Sequence, residues 1–319
     1  MTDALARGWL LAWIAFGAAP AGSLVLLLIH RITGGAWGEA LAPVLRPAAG
    51  LLPLVALGFA GVALAQPLLY PWAADPGTVK PDVAALYFTP VLFAARGSVA
   101  LLGWSVLAGL ALAGRCGRLA AGLGLAFYGL TISLVPVDWI LSLEPGFTAS
   151  AFGAGIALHQ ILAALALAAV IGPRSLDRTT APDLANLLLA ALLGVLYLGL
   201  MDYVVAWYGD LPPKAAYYLR RGTDAYAALI GTALVAGGIV PLLLLLFSGL
   251  RTSPGALRLV GLLVLVGLAL RFAWLVLPAW GADAPVAALA AIAWLALLAA
   301  LTRGILRRLG RTVRRLGHV

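Results

Sequence analysis

Five ionisable residues interrupt long apolar runs in this sequence: Arg96, Asp138, His159, Asp202 and Arg271. If those runs cross a bilayer, each of these residues is costly there and is a functional candidate by default. Two arginines and two aspartates at one depth could neutralise each other as a structural ion-pair network. The same set could form a polar site or a proton path opening to one face. Tyr128, Thr131, Asp138 and Ser142 recur at steps of three, seven and four, which predicts a polar stripe on one helical face. With Glu144 just beyond, it reads as a proton wire or as a helix interface joined by hydroxyls. His159, followed by Gln160, could relay a proton because histidine titrates near neutrality, or it could simply satisfy a neighbouring carbonyl. The set of proton-path candidates is therefore Tyr128, Thr131, Asp138, Ser142, Glu144, His159 and Asp202, with Arg96 and Arg271 as charge partners.

The elements that carry these residues are spanning helices. Of the 319 residues, 63% are hydrophobic and 10% are charged, against roughly 25% charged in a soluble domain. That leaves too little polar surface to cover a water-soluble globule. The apolar runs predict an all-α integral membrane protein of about nine spans, near 8–30, 48–66, 90–113, 119–143, 150–171, 184–207, 224–249, 259–278 and 284–306. The chain reads as one polytopic domain, with approximate halves 1–172 and 173–306 and a basic tail at 307–319.

Loop charges set the expected orientation. With the C-terminus in the cytoplasm, the inner loops hold Arg31, Arg46, Arg115, Arg118, Arg174, Arg178, Arg251, Arg258 and Arg303, besides the tail arginines. The outer loops hold Arg7, Lys80, Lys214, Arg220 and Arg221. The N-terminus is then outside. The directions of the spans bring all five buried ionisable residues into the outer half, roughly 8–14 Å below the helix ends at 1.5 Å per residue. The net charge of +9 follows this loop sorting, so no nucleic-acid partner is implied. The basic tail could rest on anionic membrane lipids or act only as a topology signal. Cys116 is the single cysteine, so the chain cannot ligate an iron–sulfur cluster alone, and no zinc-ligand spacing occurs. The outer connection 67–89 carries Pro67, Pro71, Pro76 and Pro81, which predicts turns or partner contacts in place of a long helix.

Three runs carry a family resemblance. His30-Arg31-Ile32-Thr33-Gly34-Gly35-Ala36-Trp37-Gly38 resembles a signature of ActF-type subunits of alternative complex III, a bacterial quinol:electron-acceptor oxidoreductase. Asp138-Trp139-Ile140-Leu141-Ser142-Leu143-Glu144-Pro145 resembles a second motif of that family. Trp207-Tyr208-Gly209-Asp210-Leu211-Pro212, followed by Tyr218 and Arg220-Arg221, resembles a third, and the stretch from Lys80 through Arg96 to Trp104 is similar in order. The wider relatives are the NrfD or polysulfide-reductase-type membrane subunits. The resemblance implies two four-helix bundles plus a flanking helix in a bacterial inner membrane. It also implies partners: an iron–sulfur protein, a cytochrome c and a sister NrfD-like subunit, which would hold the haem and iron–sulfur clusters.

The resulting expectation is an accessory membrane subunit of a quinol-oxidising respiratory complex. It would contribute scaffolding and a proton path to the outer face, and a quinone could touch His159 or Arg96. The alternative is a secondary transporter with a polar site in the outer half of the membrane. The echo between Asp138-Trp139 and Asp202-Tyr203 fits duplicated bundles as well as transport.

Overall fold

A computed structural model describes residues 2–172, 180–209 and 211–316, except for the side chains of residue 213 and residues 305–316. Arg174, Arg178, Asp210, His318 and the basic tail at 307–319 thus lie outside what is described. All regular structure among the described residues is helical, as backbone groups in lipid require. The chain is an all-α membrane protein.

Eight helical stretches among the described residues are long and apolar enough to cross a membrane. The last, Pro254–Gly304, is 51 residues long, about 76 Å at 1.5 Å per residue, more than twice the ~30 Å hydrocarbon core. It breaks at Leu277–Asp283, where Gly281 adopts φ 50° and ψ −121°. Its two arms supply the eighth and ninth expected spans. The second span also differs from expectation. It begins at Ala36, because Ala36–Ala49 leads almost directly into Leu52–Leu64 through an αR Gly50.

We label the helices α1 (Thr2–Thr33), α2 (Ala36–Ala49), α3 (Leu52–Leu64), α4 (Pro90–Leu112), α5 (Arg118–Ile132), α6 (Val135–Trp139), α7 (Phe152–Ile171), α8 (Ala181–Tyr208), α9 (Pro212–Arg220), α10 (Asp224–Leu234), α11 (Val240–Leu246), α12 (Pro254–Val276) and α13 (Ala284–Leu316). Local chemistry marks several ends. The Thr89 and Ser253 hydroxyls accept N–H bonds from Leu92 and Ala256, each just ahead of a proline at the first helical position. Gly172 closes α7 in the left-handed conformation. In the turn between α1 and α2, Gly34 and Gly35 take φ 71° and 101°. The His30 ring packs edge-on to Trp37 and fills the space where a Cβ on Gly38 would sit. That motif is therefore a tight turn, at the end of the bundle opposite Asp138.

The apolar helix α1 is central. A Cβ on Gly22 would fall 1.8 Å from the Gln160 carbonyl oxygen, so α1 and α7 touch backbone to backbone. One ring of packed helices comprises α1, α3, α4 and α5. A second comprises α7, α8, α11 and α12, and α13 flanks α1. The second ring takes in α7, so by packing the boundary falls ahead of residue 152, not near 172. Helix α13 runs parallel to α1, with Trp9 against Trp294 and Arg7 paired to Asp283. Helix α12 runs antiparallel to α7: Gly261 meets Ala166, and Phe272 meets His159. These directions bring Asp138, Glu144, Asp202, Arg271 and the 66–89 connection to one end.

That connection folds through aromatic packing. Tyr70 and Trp72 are buried, and Trp72 stacks on Phe88 and meets Phe93, beside Phe59. Short helical turns at Gln66–Leu69, Pro71–Ala74 and Pro81–Leu86 use the prolines as starts.

Candidate functional site

Asp138 has no exposed surface. Its carboxylate accepts two hydrogen bonds from Arg96 on α4, from Nε at 2.8 Å and from Nη2 at 2.9 Å. This forked geometry is the strongest that a carboxylate and a guanidinium can make. The same guanidinium donates to the Tyr87 carbonyl at 3.1 Å and lies 3.9 Å from the centre of the Tyr87 ring. Tyr70 donates to the Trp139 carbonyl at 3.2 Å. The buried connection thus holds both members of the ion pair in place. Burial, and next the charge of Asp138, push the Tyr70 hydroxyl well above its usual range, so it stays a donor.

The second charged group forms around Glu144. Arg220 donates to Oε2 at 2.6 Å, and Arg221 pairs with Oε1. Arg221 is buried and also donates to the Tyr217, Trp274 and Leu275 carbonyls at 3.2, 3.4 and 3.2 Å. Its guanidinium lies 3.5 Å from the centre of the Tyr217 ring, a cation–π contact. Neither Arg220 nor Arg221 stood out as a site residue. The available signal was a basic doublet in a loop on the arginine-poor side, directly after two tyrosines.

The predicted polar stripe needs correction. Helix α5 ends at Ile132, and the chain turns at Ser133 and Leu134 before α6, with Pro136 unable to continue the hydrogen-bond ladder. Tyr128, Thr131, Asp138 and Ser142 therefore do not share one helical face. The Tyr128 hydroxyl donates to Gln160 Oε1 at 2.6 Å. The Trp104 indole donates to the Thr131 hydroxyl at 3.0 Å. The Ser142 hydroxyl bonds the Asp138 main-chain carbonyl, not its carboxylate. A cavity of about 30 Å³ lies between these groups, lined by Trp13, Trp104, Pro136, Trp139, Ile140 and Gln160 among others. It has room for about two waters. The buried Trp139 indole N–H has no partner.

His159 Nδ1 lies 2.6 Å from the Gly155 carbonyl, one turn back on α7, and its ring faces Phe272 at 5.9 Å. Arg271 and Asp202 interact through space, yet no N···O contact within 4 Å joins them. Of the two expected charge partners, Arg96 pairs and Arg271 does not. Helix α8 runs unbroken through Asp202, whereas the chain at Asp138 has just broken, so the two aspartates are not equivalent positions.

No protein-family model matches the chain, and no curated protein matches it.

Proposed function

We propose that this chain is a multi-pass membrane subunit of a quinol-oxidising respiratory complex, serving as a scaffold and conducting protons at the end of the bundle that carries Asp138 and Glu144. One observation supports this above others. Three segments that carry the family resemblance, distant in sequence, meet through ion pairs. Arg96 from the 80–104 stretch holds Asp138, and Arg220 and Arg221 from the 207–221 stretch hold Glu144.

Oxidising a quinol releases two protons, which must leave toward the outer side for energy to be conserved. Asp138 and Glu144 lie six residues apart in one irregular segment, each held by arginine. The cavity beside Trp139 and Gln160 offers water a place between the Tyr128–Gln160 pair and that segment. Arg96 and His159 Nδ1 are already engaged by protein groups, which favours a conducting role for this chain and leaves quinol chemistry to a sister subunit. Electrons would pass through clusters and haems on the partner proteins. A transporter with two matched broken helices is less well supported, because α8 is continuous at Asp202.

Two measurements test the proposal. Affinity purification from the native membrane should bring down iron–sulfur and haem-bearing partners, seen by absorption spectra and peptide mass spectrometry. In the assembled complex, Asp138→Asn should slow proton release relative to quinol oxidation. A chain that purifies alone, or a variant with unchanged quinol oxidation and unchanged proton release, would overturn it.

A further inference from the structure

A different site centres on Arg271. Helix α12 carries it about 8 Å from its last residue, Val276, at 1.5 Å per residue. An arginine at such a depth is expected to face a carboxylate or a polar cavity. Arg271 has no ion pair within 4 Å and no hydrogen bond to a described residue. Its guanidinium lies 4.6 Å from the centre of the Trp274 ring. Trp274 is buried, and its indole N–H is also without a partner. Two donors on one turn of α12 are therefore left open, and an anion would satisfy both.

The surroundings say which kind of anion. Helices α8 and α10 barely touch each other, while α8 packs on α11 and α10 packs on α12. This leaves a crevice between α8 and α10 toward the end where Arg271 sits. On α8, Tyr203 and Trp207 are about half exposed and Tyr208 almost fully so, as at a membrane–water boundary. Tyr203 meets Tyr218 of α9 at 5.3 Å, and Tyr218 meets Trp274 at 6.1 Å, so aromatic rings connect the exposed face to the open donors. The charged groups around this crevice among the described residues are Arg271, Lys214, Arg220 and Arg221 against Asp202 and Glu144, an excess of two positive charges. His159 and Tyr217 complete the titratable set.

We propose that this crevice binds an anionic phospholipid, with the headgroup phosphate on the Arg271 guanidinium and the Trp274 indole N–H and the acyl chains running along the exposed face of α8. Guanidinium suits phosphate because its planar fork donates two N–H bonds at once. Asp202 lies on the crevice and opposes the phosphate, so it weakens the site. This inference does not depend on the proposed respiratory role.

The test uses the full chain in detergent, with phosphatidylglycerol, phosphatidylcholine or soluble glycerol 3-phosphate added, and native mass spectrometry to read the retained molecules. Phosphatidylglycerol should be retained over phosphatidylcholine. Arg271→Gln should weaken that retention about tenfold, the loss of one charge-assisted contact, and Asp202→Asn should strengthen it. Equal retention of the two lipids, unchanged retention in Arg271→Gln, or weaker retention in Asp202→Asn would overturn the proposal. Displacement by glycerol 3-phosphate alone would also overturn it, assigning the site to a soluble anion. Should Arg271→Gln fail to fold, the Asp202→Asn arm and the two-lipid comparison decide the matter.

Discussion

Replacing Arg96 by methionine removes the only positive charge that holds the Asp138 carboxylate while keeping a side chain of similar length. Asp138 is fully buried and the Arg96 side chain is 19% exposed, so solvent screens the pair little. Two charge-assisted hydrogen bonds are lost, each worth roughly 1.5–3 kcal/mol, and a buried charge is left without its partner. Breaking such a pair on one side costs about 3–5 kcal/mol. The Ser142 hydroxyl cannot compensate, because it bonds the main-chain carbonyl. The double variant Arg96→Met/Asp138→Asn removes the unpaired charge and should recover most of the loss, since apolar replacement of a whole buried pair is often near neutral. Arg96→Lys should fall between, because a point charge cannot make the fork. Unfolding in mixed detergent–SDS micelles, followed by tryptophan fluorescence, measures all four. If Arg96→Met lies within about 1 kcal/mol of the parent, or if the two single effects simply add, the pair does not hold the segment as described.

The two arginines at Glu144 should behave differently in the same assay. Arg221→Ala leaves a buried carboxylate half-paired and three carbonyls without a donor, and should cost about 3–5 kcal/mol. Arg220→Ala, at a side chain 57% exposed, should cost less than about 1 kcal/mol. Gly22→Ala places a methyl into the Gln160 carbonyl and should push α1 off α7, losing more than about 2 kcal/mol and lowering the yield of folded protein. Tyr87, in the connection outside the spans, has its hydroxyl pushed up to about 12, chiefly by burial and next by the charge of Asp138, with Arg96 opposing. The folded state therefore holds this proton more tightly than the unfolded chain, whose tyrosine titrates near 10. The resulting stability is full below about pH 10 and is lost as pH rises toward 12. Tyr87→Phe should flatten that part of the stability curve, and an unchanged slope would assign it to other groups.

Length and hydropathy were enough to establish a helical membrane protein, because lipid leaves the backbone no other economical way to pair its polar groups. Loop charges and span directions were also enough to gather the buried ionisable residues at one end, and the aligned contacts of α1, α7, α12 and α13 place them there. Partners were not legible. Periodicity implied one continuous helix through Tyr128, Thr131, Asp138 and Ser142, but Pro136 and the Ser133–Leu134 turn rotate the later residues away, and a local pattern cannot register such a break beforehand. Arg220 and Arg221 looked like loop charges until the fold brought Glu144 to them across 76 and 77 residues. Arg96 and Arg271 looked alike in sequence. Only the packing of α4 beside Asp138, and of α12 beside a crevice, gave one arginine a carboxylate and left the other open, because an ion pair needs atoms within a few ångströms and residue spacing along the chain does not set that distance.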